Sequence, residues 1–168
     1  MLNKEAETLY KKHNYREAAK IYLNLADMTQ ELPRKTILIS KAVDAYHQMG
    51  SYDEEAECLL YLSKLLEGEE KLNCIISAWK VYIMAIAVFQ YETGFEWKGD
   101  LENLNGSYDE TITNYFEKAV AIIKTALQQS DVNNKALLEK LGNECAKRQN
   151  EGGWGADHCW KSIDKAWH

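Results

Sequence analysis

Proline and glycine are scarce in this chain. Among 168 residues there is one proline, Pro33, and there are nine glycines. So few breakers argue against many short strands joined by tight turns and favour long helices. Paired cysteines are also missing. Cys58, Cys74, Cys145 and Cys159 include no C-x-x-C pair, so reduced thiols serving as small hydrophobes are expected. His158 and Cys159 are adjacent, with Cys145 and His168 nearby. Neighbours on a helix point about 100° apart, and no H-x-x-x-H frame exists, so no metal and no cofactor are expected. The chain has no G-x-S-x-G, no G-x-x-x-x-G-K and no H-E-x-x-H. The usual local signatures of hydrolase, phosphate-binding and zinc-protease chemistry are therefore absent, and a non-catalytic protein is expected. The opening M-L-N-K-E-A-E lacks the apolar core of a signal peptide, which makes the cytoplasm the expected compartment.

A clean membrane span is missing as well. The most apolar stretch, Leu72–Tyr91, has the length of one. Lys80 sits near its centre, and the unbroken apolar run is only Val81–Phe89. A central helix packed by neighbours on both sides is the expectation.

Charge is distributed unevenly. Residues 51–110 carry four Lys/Arg against thirteen Asp/Glu, hence −9, while the flanking thirds are nearly neutral. An acidic middle repels nucleic-acid phosphates and anionic lipid and steers basic partners inward. Nucleic acid is not an expected partner, and a basic peptide is. A composition of 46% apolar and 27% charged residues is that of a folded globular chain.

One phrase recurs. G-S-Y-D-E stands at Gly50–Glu54 and again at Gly106–Glu110, and H-N-Y-R-E stands at His13–Glu17. Each has the pattern of a helix start, with Asn14, Ser51 or Ser107 at the cap and Glu17, Glu54 or Glu110 three residues on, which predicts a capping box. Gly50 suits the left-handed position that ends the preceding helix. Helix-period apolar positions follow each start: Ala18, Ala19, Tyr22, Leu25 and Ala26; Ala56, Leu59, Leu60, Leu62 and Leu66; then Ile112, Tyr115, Phe116, Ala119, Val120, Ile123, Ala126 and Leu127. A helix also precedes each start, the second one opening at Pro33 with Ile37, Leu38, Ala42, Ala45, Tyr46 and Met49 as apolar positions.

A-x-x-x-Y at Ala18–Tyr22, with Tyr15 three residues earlier, and A-Y-x-x-x-G-x-Y at Ala45–Tyr52 resemble the tetratricopeptide repeat family. The long helices also resemble the soluble NSF attachment protein branch of vesicle-fusion factors. Residues 2–66 carry the resemblance closely and 69–129 loosely. Tyr15 and Tyr52 are 37 residues apart, near the family's period of about 34, whereas Tyr52 and Tyr108 are 56 apart. The family's first-helix Trp and Gly are missing, and Glu55 stands where the second repeat should have alanine.

The resemblance implies an all-α fold: an antiparallel helix-hairpin array in a right-handed superhelix of about seven or eight helices. The expected layout is a helical-repeat domain over 1–150, with hairpins near 3–29, 33–66 and 69–129 and a further helix at 131–148. A Gly-hinged helix over 151–168, carrying Trp160, Ile163, Ala166 and Trp167 on one stripe, would cap it.

The implied function is an adaptor that binds a peptide or helix on its concave face. Candidate partner-binding residues are Lys4, Tyr10, Lys11, Lys41, Asp44, Tyr46, Trp79 and Lys80 on the first helices of the pairs. Phe95 and Trp97 join them from the acidic, glycine-bearing insertion 92–105. The family's Lys/Asn clamp for a terminal carboxylate is not recognisable here. Two other readings stay open: a self-associating structural protein, with a homodimer as its form, and a helical domain that binds a small molecule or metal.

Overall fold

The computed structural model describes residues 2–93 and 110–150, with side chains through 92 and from 110 through 147. The described residues form seven α-helices and no strand: α1 (Leu2–Lys11), α2 (Tyr15–Met28), α3 (Leu32–Gln48), α4 (Tyr52–Leu65), α5 (Gly68–Thr93), α6 (Glu110–Leu127) and α7 (Asn134–Asn150). The third copy of the repeated phrase, the insertion that holds Phe95 and Trp97, and the expected capping helix at 151–168 lie outside the described residues. The chain divides into two compact units, 1–78 and 79–168, at a point inside α5.

In the first unit each helix packs on the next, α1 on α2, α2 on α3 and α3 on α4. The core is built from small residues at the crossings. Ala6, Ala18, Ala19, Ala26, Ala42 and Ala45 are fully buried, which lets the helix axes approach closely. Tyr22, Leu38, Ile39, Tyr46, Cys58 and Leu62 fill the space between them. Ile37 is not part of this core. The buried stripe of α3 runs through Leu38, Ile39, Ala42, Ala45 and Tyr46, and Ile37 faces outward at 59% exposure.

The two described copies of the repeated phrase make the same turn. His13 and Gly50 both adopt left-handed φ, +61° and +66°. In the first turn Asn14 N–H donates to the Leu9 carbonyl and His13 N–H to that of Tyr10; in the second, Ser51 donates to Tyr46 and Gly50 to His47, all at 2.9–3.0 Å. These paired 6→1 and 5→2 bonds form a Schellman motif that closes one helix. The Asn14 and Ser51 carbonyls then accept from Ala18 and Glu55 and open the next helix.

The expected capping box is corrected here: neither Asn14 nor Ser51 makes a side-chain cap bond. Their ψ values of 66° and 78° fall short of the extended backbone that aims a cap oxygen at the N3 amide. The turn is held by its main chain.

Three side-chain links join residues 34 apart: Lys41 to Glu7, Tyr10 to Asp44, and Tyr61 to Asp27. The turns recur at 37. Each residue therefore meets the one lying three before its equivalent in the next hairpin, and α1 touches α3 as α2 touches α4.

In the second unit the stripe of α6 is buried at Ile112, Phe116, Ala119, Val120, Ile122, Ile123, Ala126 and Leu127. Tyr115 lies beside the stripe and stacks on Tyr82, 5.9 Å between ring centroids. Asn133 caps α7, its side-chain oxygen accepting from Ala136 N–H at 3.1 Å. By length and composition Gly68–Glu92 could cross a membrane, with mean hydropathy 1.8, but over half of that window is buried within the protein. Trp79, Ile83, Ala85 and Ile86 are among the buried residues, as expected of a helix packed by neighbours.

Candidate functional site

The first unit carries a groove of about 500 Å³ between α1, α2 and α3, lined by Tyr10, Tyr22, Thr36, Ile37, Ser40, Lys41 and Asp44. The α3 contribution follows helical periodicity. Residues 37, 40, 41 and 44 share the face opposite the buried stripe. Tyr10 comes from the last turn of α1, which the left-handed His13 ends. Tyr22 comes from the middle of α2, where Ala18, Ala19 and Ala26 draw the helix against its neighbours.

The groove's polar groups are coupled across helices. The Tyr10 hydroxyl donates to Asp44 Oδ2. That bond is the main reason the Tyr10 phenol is pushed up to about 12, with some burial and the Asp44 charge adding to it. Lys41 Nζ lies 3.1 Å from Glu7 Oε1 and 5.3 Å from the centre of the Tyr22 ring. Burial raises the Tyr22 phenol, and the nearby Lys41 ammonium opposes that shift. The Tyr10 ring meets Tyr15 edge-on at 5.0 Å, and Tyr15 in turn holds His13 Nδ1 at 2.7 Å. The wall formed by Tyr10 is thus braced from the turn behind it.

Of the residues expected from the sequence, the groove gathers Tyr10, Lys41 and Asp44. Lys4 and Lys11 are exposed on α1 outside its lining. Tyr46 and Trp79 are 6% and 0% exposed, so both rings are packed inside the protein and present no surface to a partner. Lys80, in the second unit, pairs with Glu144 at 2.9 Å. Phe95 and Trp97 lie outside the described residues. Sequence reasoning missed Tyr22, Thr36, Ile37 and Ser40. A signal for three of them was present: Thr36, Ile37 and Ser40 share a flank of α3 with Lys41 and Asp44, apart from Leu38, Ile39, Ala42 and Ala45.

A second polar pair lies at the α3–α4 turn. Glu55 is buried at 8% exposure, and His47 Nδ1 lies 3.0 Å from its Oε1. Burial raises the Glu55 carboxyl above the usual carboxylate range, and His47 partly offsets the rise. Glu55 is one of three acidic residues in the first turn of α4. Ala18, its counterpart 37 residues earlier, is fully buried. No group of three His, Cys, Asp or Glu side chains that could hold a metal occurs among the described residues.

No family model, no curated protein and no solved structure matches this chain.

Proposed function

We propose that this protein is a non-catalytic interaction module, a stack of tetratricopeptide-like hairpins that takes a peptide in the groove between α1, α2 and α3. The observation that carries this reading is the groove itself: the Tyr10 ring and an outward isoleucine beside a carboxylate and an ammonium already held in place. An aromatic and aliphatic floor provides area for burial, and fixed polar groups set register. The 34-residue links between successive hairpins add support, because they are the contacts a regular hairpin stack makes. A cytoplasmic adaptor without a membrane span is the role this reading implies. It is tested by panning random peptides against the full chain, with counter-selection on Ile37→Glu. Enriched sequences that lose binding to the variant support the groove. Failure to enrich any, or enrichment indifferent to Ile37, removes it.

Self-association has one observation in its favour. Met84, Val88 and Tyr91 follow i, i+4, i+7 on α5 and are exposed, Tyr91 to 90%, which makes an apolar stripe on the second unit. A native mass equal to two chains, reduced to one by Val88→Glu, would support it.

A further inference from the structure

We infer that the groove reads an extended, basic-apolar peptide segment, an apolar side chain lodging against the exposed Ile37 and an Arg or Lys three residues later pairing with Asp44. This rests on the peptide-groove reading above and specifies its ligand.

The charge assignment follows from how the groove's own charges are spent. Lys41 and Glu7 form an ion pair at 3.1 Å, so each largely cancels the other. The Asp44 charge, by contrast, is met by the neutral hydroxyl of Tyr10. A carboxylate has about four lone-pair sites, and Asp44 is an exposed position of α3. The groove therefore presents one uncompensated negative charge at this end, and the complementary partner group is a cation. Guanidinium is the better fit, since it also stacks on a flanking ring such as Tyr10.

The spacing follows from α3. Ile37 and Asp44 are seven residues apart, about 10.5 Å along the helix axis. Three residues of extended chain cover about the same length. A helical partner would need seven residues. The two α3 hydroxyls at Thr36 and Ser40 favour the extended form.

Two hydroxyls on the same face suit an extended backbone. Thr36 Oγ1 donates to the Pro33 carbonyl and Ser40 Oγ to that of Thr36, which orients each oxygen as an acceptor. Four residues apart on a helix, they are about 6 Å apart in rise. Alternate N–H groups on one edge of an extended peptide recur at about 6.6 Å.

The test uses two acetylated, amidated hexapeptides, each with leucine followed three positions later by either arginine or glutamate and serine elsewhere. Each is titrated into the full chain at low salt, with backbone amide shifts recorded by NMR. The arginine peptide is expected to move the amides of residues 36–44 and to bind about ten-fold more tightly than the glutamate peptide, the worth of one charge-assisted hydrogen bond. Asp44→Asn, checked for retained helicity, is expected to erase that preference, while Ile37→Ser weakens both peptides. Equal or better binding of the glutamate peptide overturns the charge assignment and leaves the groove standing. A preference that survives Asp44→Asn overturns the role of Asp44. If neither peptide moves those amides, the groove reading and this inference fall together.

Discussion

Tyr10 and Asp44, 34 residues apart on α1 and α3, are joined by a hydrogen bond from phenol to carboxylate. The bond ties the first helix of one hairpin to the first helix of the next and sets one end of the groove. Because the carboxylate accepts the phenol proton's bond, ionising the phenol breaks the link. Tyr10 is held at about 12 for that reason. A group whose pKa is raised by folding stabilises the fold below its unfolded value and loses that contribution as pH climbs through the folded one. Stability is therefore expected to decline between about pH 10 and pH 12 through this group. Asp44→Asn should bring Tyr10 back toward the ordinary tyrosine range, read by ultraviolet titration against Tyr10→Phe as the blank. A Tyr10 titration unmoved by Asp44→Asn would dissolve the link.

The turn at Gly50 sets the angle between α3 and α4. With φ at +66° and no atom within 4 Å of where a Cβ would stand, substitution meets backbone strain and no clash. Gly50→Ala is expected to cost about 1 kcal/mol, measured by urea denaturation. His13 already occupies the matching position at φ +61°. Its change to glycine relieves strain of about 1 kcal/mol and gives up the imidazole's bond to Tyr15, a term of about the same size. A change near zero is expected there. A Gly50→Ala protein as stable as the parent would show that the turn can relax.

The repeated phrase was legible as a turn because its chemistry is local. A left-handed residue, a helix start and a following tyrosine all fall within five positions, and the spacing of 37 carried the pairing of hairpins. The capping box misled because the same residues suit two devices. Asn14 and Ser51 do stand at helix starts, but the Schellman bonds fix their backbone short of side-chain capping geometry. Ile37 misled for a different reason. In one dimension it continues the apolar run Ile37–Ile39, and only the helix register, settled by Ala42, Ala45 and Tyr46, turns it outward. The groove was half legible. Tyr10, Lys41 and Asp44 stood out as polar or aromatic residues on first helices, whereas Tyr22 reaches it from a second helix, a contact that no sequence periodicity specifies.

Trp79 separates stability from binding. Its side chain is fully buried, so truncation leaves a large cavity. Trp79→Ala is expected to destabilise the protein by about 4 kcal/mol, a large share of a total near 5–15 kcal/mol. Lys4→Ala and Lys11→Ala, at exposed positions, should shift stability by less than about 0.5 kcal/mol. Chemical denaturation followed by circular dichroism distinguishes them. A Trp79→Ala protein of parental stability would require the indole to sit at a surface instead.

Glu55 is expected to make the stability of the α3–α4 turn depend on pH. The carboxyl occupies a position where its counterpart Ala18 is simply buried, and desolvation raises its pKa despite His47 alongside. A carboxyl raised by folding contributes fully below its unfolded pKa, and the contribution is lost as pH rises through the folded value. The window therefore lies just above the usual carboxylate range. Across it the parent should lose stability relative to Glu55→Gln, whose amide keeps the shape without the titration. The comparison is a pair of urea denaturation series from pH 4 to pH 7, run on parent and variant in the same buffers. Asp44 also raises the Glu55 carboxyl through its charge, so Asp44→Asn should narrow the same window and thereby couple the turn to the groove. Parallel pH profiles for parent and Glu55→Gln would mean that the His47 pairing fully offsets burial.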